Sequence, residues 1–242
     1  MRVIEPDEII YSKRKTIAVT VFPGGRVVVR APAHASLAVV QRFLREKADW
    51  IRAAQVKMQQ APQRSHGYRY EEGELLWFLG EKYPLHLVDK VPGGLTYVGG
   101  KGFLLQHSRK AQAEALMKAF YKRELRARVQ ELVRFYAARD GYKPSAVRIT
   151  SARTRWGSCS RANALNFSFR LALTPPACIE YVVVHELAHT REHNHSARFW
   201  QLVNQSLPSF KLPRDWLKKH GAELPPLTGN SPLPGSPCFE NS

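Results

Sequence analysis

"VVVHELAHTREHNHSARFW", residues 182–200, carries four histidines, His185, His189, His193 and His195, with Glu186 beside the first. It opens on Val182, Val183 and Val184, a run that reads as buried. An imidazole in such surroundings costs free energy unless a hydrogen bond or a metal satisfies it. His185 and His189 stand four residues apart, so on a helix they differ by about 40° around the axis and about 6 Å along it, and both rings face one point. Glu186 lies near the same rim. This is the H-E-x-x-H arrangement, in which two imidazoles bind zinc and the carboxylate reaches a metal-activated water. The competing reading, two hydrogen-bonded core histidines, needs a separate buried partner for each ring. The metal reading is the stronger.

A catalytic zinc keeps three protein ligands and leaves a place for water, whereas a structural one is closed by four. Two candidates exist for the third ligand: His193 continues the four-residue stripe but lies about 12 Å along the axis from His185, which strains a shared ion with bonds near 2 Å. His195 reaches the ion only if the helix breaks around Glu192–Asn194. Asparagine tolerates the left-handed conformation of such a break, and Ser196 is a good N-cap for a new helix. His195 is therefore the expected third ligand, with His193 on the surface or in an outer shell.

Outward from the motif, Pro175 and Pro176 open its helix, and "ALNFSFRLAL" (164–173) reads as the strand before it. Val147–Thr150 forms another strand. Residues 109–140 make the longest periodic segment, with Leu116, Phe120, Val129, Leu132, Val133 and Tyr136 on one face and Gly141 as its stop. After the motif come a helix from Ser196 and a short last one over "PRDWLKKHG" (213–221). Toward the amino terminus, β-branched runs flank Pro23-Gly24-Gly25 as a hairpin. Ser36 caps a helix running to Met58, residues 59–67 form a loop, and short glycine-punctuated strands fill 73–106. The expected division is a β-rich part over 1–108, a metal-binding core over 109–221, and a Pro/Gly/Ser-rich disordered tail over 222–242.

The chain has 242 residues and a net charge of +17. The excess is +6 over 1–108, +13 over 109–221 and −2 over 222–242, so it gathers in the half that holds the histidines. Such a field concentrates anionic partners, whether substrate or, weakly and without sequence preference, nucleic acid. The first residues lack the apolar stretch of a secretory signal, and no run is long and apolar enough for a membrane helix. Cys159, Cys178 and Cys238 form neither a disulfide framework nor a CxxC zinc site. A cytoplasmic protein without a membrane partner is expected.

Four blocks in order, "RWGSCS" (155–160), "NFSFRLAL" (166–173), "YVVVHELAH" (181–189) and "NHSARFW" (194–200), resemble the YgjP-like family of zinc-dependent metallopeptidases, with similarity from about residue 12 to 221. That family is a zincin, related to SprT-like and gluzincin-type peptidases. The resemblance implies an α+β fold with a zincin-like core, a Zn2+ cofactor held by His185, His189 and His195, and Glu186 as catalytic acid/base. It further implies that the strand at 164–173 is an edge strand able to pair with an extended substrate. The step from His189 to His195 equals that of metzincins, but Glu192 stands where their turn glycine would be. Arg148, Arg153, Arg155, Arg161 and Arg170 cluster in this stretch, and Arg155, Asn166 and Arg170 are the candidate substrate-binding residues. Cys159 as a nucleophile is not required for zinc hydrolysis. The expected activity is hydrolysis of peptide bonds. The alternatives are a pyrophosphatase-type hydrolase of a nucleotide or other small anion, and a nucleic-acid-associated protein of SprT-like type.

Overall fold

The computed structural model describes residues 4–14, 16–60 and 67–227. The chain is α+β and divides into two compact units, 1–64 and 65–242. The division expected at 108/109 therefore falls inside the second unit.

In the first unit, β1 (Glu8–Ser12), β2 (Ala18–Val21) and β3 (Val27–Pro32) form a sheet ordered β1-β3-β2. β2 and β3 make the expected hairpin, closed by a short turn in which Gly24 and Gly25 both take positive φ. The helix expected over 36–58 is two helices, α1 (Leu37–Glu46) and α2 (Ala48–Gln60). Ser36 accepts from the Val39 N–H at the start, as its N-cap position predicts, and Lys47 ends the first helix with ψ near 9°. Val40, Leu44 and Ile51 join Val27, Val29 and Ala31 in a small core, while Trp50 is exposed. The loop expected at 59–67 lies mostly outside the described residues.

The second unit starts with a four-stranded sheet of β4 (Leu75–Phe78), β5 (Glu81–Val88), β6 (Leu95–Val98) and β7 (Gly102–Gln106), ordered β4-β5-β7-β6. The long helix α3 (Ala113–Asp140) follows. It buries Phe120, Tyr121, Leu125, Val129 and Val133 along one face and stops at Gly141, whose left-handed conformation lets its N–H reach the Ala137 carbonyl. A second sheet holds β8 (Ala146–Thr150), β9 (Gly157–Cys159) and β10 (Ala164–Ser168). Then come α4 (Pro176–Ala188), α5 (Ala197–Ser206) and α6 (Lys211–His220).

Two expectations for residues 164–173 need correction. The strand ends at Ser168, whose hydroxyl accepts the Arg170 N–H and turns Phe169–Leu173 into a 3-10 turn. The sheet order is β8-β10-β9, so β10 is the central strand, parallel to β8 and antiparallel to β9. It is thus not the edge. A tight turn at Ser160–Asn163, with Asn163 at positive φ, folds β9 back alongside it and makes β9 an edge of the sheet.

α4 is buried nearly all round, from Cys178 to Ala188, so it serves as the spine of the unit. Residues 222–227 of the expected tail are described, and Leu224 and Leu227 are buried in the core of the second unit, because apolar side chains punctuate its prolines. Residues 228–242 lie outside the described part. No helix among the described residues is long and apolar enough to cross a membrane.

Candidate metal centre

The last turn of α4 supplies His185, and the helix closes on His189, whose N–H still bonds the His185 carbonyl. Beyond it, the N–H groups of Arg191 and Glu192 both bond the Ala188 carbonyl and wind the chain into a turn. The helix stops a few residues before the break expected at Glu192–Asn194, but the consequence is the same. Asn194 accepts the Ser196 N–H through its side chain, and Ser196 caps α5 by accepting the Phe199 N–H. His195, held between these two caps, turns back onto α4. His185, His189 and His195 each offer one ring nitrogen, all within 4.8 Å of one another. His193 is exposed and outside this group.

Nε2 of His185 lies 3.2 Å from Nε2 of His195. Two neutral imidazoles that turn lone pairs toward one another repel unless a proton or a cation lies between them. The separation is close to the edge, about 3.3 Å, of a tetrahedron with bonds near 2.0 Å. Two of the outer nitrogens already face partners. Nδ1 of His189 donates to the Glu192 carbonyl at 3.0 Å, and Nδ1 of His185 lies 3.5 Å from the Tyr181 hydroxyl. Partners of that kind fix the ring tautomer and leave Nε2 for a metal. Burial, reinforced by the neighbouring imidazoles, holds His185 well below the usual histidine range. Burial also lowers His189, against the Glu192 carbonyl that raises it. Both rings are thus kept in the neutral form that ligation requires. The donor set fits a metal ion.

Phe199 underlies the cluster. Its ring centroid lies 4.9 Å from that of His185, 4.5 Å from His189 and 4.8 Å from His195, and it is fully buried. Trp200 stacks on His195 at 6.0 Å. These aromatics lock the rotamers of the imidazoles.

Glu186, one residue after the first ligand position, is buried, and its Oε2 has no hydrogen-bond partner among the described residues. Burial pushes its carboxyl up to about 8, while the charge of Arg155 opposes the shift. A cation on the three imidazoles would add to the pull of Arg155. Gly157, the first residue of β9, accommodates this side chain: a Cβ there would sit 2.5 Å from Oε1 and 2.7 Å from Cγ of Glu186. Cys159 faces the same side, and burial followed by the charge of Glu186 raises its thiol to about 11, far from the thiolate a nucleophile needs.

The three candidate substrate residues fall in different places. Arg155 is exposed, and its charge acts on Glu186. Asn166 stands opposite Ser158 and in register with Arg148 on the face of the sheet turned away from Gly157. Arg170 is buried over the Trp156 ring, its guanidinium donating to the carbonyls of Arg153 and Gly221, so it ties the loop before β9 to the end of α6. Phe199 and Tyr181 were not singled out in the sequence, although each lies four residues from a histidine of the cluster, the one available signal. Trp156-Gly157 reads from sequence as a packed turn near the site, and Gly157 does lie against Glu186.

Three clustered imidazoles at the end of a buried helix, with a partnerless carboxylate beside them, form a site that could hold a metal ion. The chain belongs to the YgjP-like family, whose description "YgjP-like, metallopeptidase domain" matches residues 15–220. Among solved structures it is similar to the metallopeptidase zymogen of Pyrococcus abyssi abylysin, with 23% identity and a TM-score of 0.35 over 38% of this chain and 93% of that one, too low a likeness to carry an argument. No curated protein sequence matches the chain.

Proposed function

We propose that this member of the family is a zinc-dependent peptidase that works in the cytoplasm. The observation that carries the reading is the cluster of His185, His189 and His195 with the buried, partnerless Oε2 of Glu186 beside it. Zinc rather than another ion suits three imidazoles without a further carboxylate or thiolate. When bound, zinc supplies Lewis acidity for a water and for the scissile carbonyl. Glu186 accepts the proton of the attacking water and returns it to the leaving amine, and its dry surroundings keep that proton from being lost to solvent. Free thiols at Cys159 and Cys178 support the cytoplasmic assignment.

β9 supplies a place for the substrate backbone. The bonds from Ser160 N–H to the Ala164 carbonyl and from Ser168 N–H to the Trp156 carbonyl set the phase of the β9–β10 ladder. By the alternation of such ladders, Ser158 faces β10, while the backbone groups of Gly157 and Cys159 point out of the sheet. No described strand pairs with them. An extended peptide can add there, next to Glu186.

A second reading, hydrolysis of a small phosphorylated anion, draws on the basic stretch around β8 to β10. The two are separated by elemental analysis of the pure protein and parallel assays on unfolded casein and nucleoside triphosphates. We expect one zinc per chain and casein cleavage that a chelator abolishes and added zinc restores. Cleavage of triphosphates with intact casein would overturn the peptidase reading.

Gly157→Ala tests the fit of strand to carboxylate. The added methyl must displace either Glu186 or β9, and misplacing a reacting group by about 1 Å can cost roughly 10²-fold in rate. Zinc content is expected to stay at the wild-type value while peptide turnover falls by about that factor. Wild-type turnover in a fully metallated Gly157→Ala protein would show that the contact does not position Glu186.

A further inference from the structure

Between Asp140 and Glu180 the chain has no acidic residue, yet it holds Lys143, Arg148, Arg153, Arg155, Arg161 and Arg170. The stretch contains all three strands of the sheet beside the metal centre. Arg170 is buried and spent on carbonyls, but the other five are exposed. The acids that bound the stretch are already engaged, Asp140 by Arg139 and Glu180 by the Tyr136 hydroxyl. An uncompensated run of positive charge of this size attracts an anionic partner.

Its placement says what kind. Arg148 stands in register with Asn166, which stands opposite Ser158, so these three side chains share one face of the sheet. Leu165, Phe167, Gly157 and Cys159 occupy the other, and Gly157 meets Glu186 there. Arg155 comes just before β9, and Arg161 lies in the turn just after it, so the two bracket the edge strand. Arg148 lies three strand spacings from a peptide on that edge, about 14 Å and beyond one screening length, and adds field rather than contact. A peptide paired on the β9 edge extends the sheet, and its side chains alternate between the two faces. Every second one falls on the face of Ser158 and Arg148; Arg161 stands at one end of the strand they follow, and Arg155, whose charge reaches Glu186, at the other. The other set points toward the metal centre.

We infer that the substrate is an acidic polypeptide, read by Arg155, Arg161 and Arg148 through carboxylates at alternate positions flanking the scissile bond. This rests on the peptidase reading and names the substrate class of the same site.

The test starts from a casein cleavage site located by mass spectrometry. Four peptides keep that scissile pair and carry either Glu or Gln at alternate flanking positions, in each of the two possible phases. Turnover, kcat/KM, is measured for all four with the wild type, Arg148→Glu and Arg161→Glu, at low and high salt. Binding of the same peptides, labelled, to the Glu186→Gln variant is followed by fluorescence anisotropy. Two exposed charge pairs are together worth a factor of about three to ten. We expect the Glu peptide of one phase to exceed its Gln counterpart by that factor in turnover and in binding, high salt to shrink the gap, Arg161→Glu to collapse or invert it, and Arg148→Glu to narrow it. The ratio is read within each variant, so a general loss of activity does not disturb it. Equal handling of Glu and Gln, or a preference indifferent to both variants, overturns the inference while cleavage itself upholds the peptidase reading. If no peptide is cleaved, the peptidase reading fails, and the binding ratio alone decides whether the face selects acidic chains. Displacement of the acidic peptide by far lower charge-equivalents of single-stranded DNA also overturns it, in favour of a nucleic-acid surface.

Discussion

Glu186→Gln is expected to lower peptide turnover by about 10²–10⁴-fold, the usual worth of a general base, while leaving zinc near one per chain. Glutamine keeps the volume that Gly157 vacates for Glu186, and the three imidazoles are untouched. The fold is expected to hold, because a neutral amide is less costly than a carboxylate in a site this buried. What is lost is the acceptor for the proton of the attacking water. The measurement is kcat and zinc content of wild type and variant side by side, with Cys159→Ala as a control. A thiol raised to about 11 by burial holds almost no thiolate at neutral pH, so that control is expected to cleave as wild type does. A fully metallated, fully active Glu186→Gln protein would sink the assignment of Glu186, and a dead Cys159→Ala would point to a cysteine mechanism.

The parts of this site that could be read from sequence are those fixed by short-range geometry. His185 and His189 converge because a helix places every fourth residue on one face, and no tertiary information is needed. Ser196 and Ser36 could be read as N-caps because capping is a contact over three residues. Gly141 marked the end of α3 for the same local reason. Choosing His195 over His193 took one further step, a chain break inferred from distance along a helix axis.

What sequence did not give depends on pairings between distant segments. The alternating apolar residues of 164–173 are the same in a central strand and in an edge strand, and only the return of β9 alongside β10 decides between them. Asn166 and Arg170 looked alike as polar residues in one block, but alternation sends Asn166 to the outer face, and the 3-10 turn begun by Ser168 carries Arg170 inward. The boundary expected at 108 followed a change in composition from strand-rich to helical. Phe103, Leu105 and Phe120 instead pack into one core, so the change of element type is not a change of unit. Leu224 and Leu227, in a stretch whose composition read as tail, are buried in that same core.

The other large effect concerns His195, the proposed third ligand. His195→Ala is expected to cost the chain its zinc and, with it, its hydrolysis, whereas His193→Ala keeps both. Ring nitrogens of His185 and His195 already face one another at 3.2 Å, and Trp200 stacks behind the His195 ring and holds it there. His193 is exposed in the turn and absent from the cluster. Removing a group that merely orients a ligand typically costs 10–100-fold in metal affinity, so removal of a ligand itself should exceed that. The caps on either side of His195, the Asn194 side chain to Ser196 and Ser196 to Phe199, do not involve its ring, so α5 should still form in the variant. Competition titration against a chelator of known affinity reads the loss, and circular dichroism checks that the helices remain. If zinc leaves with His193 and stays without His195, the turn after α4 presents a different ring to the metal, and the site needs a new third ligand.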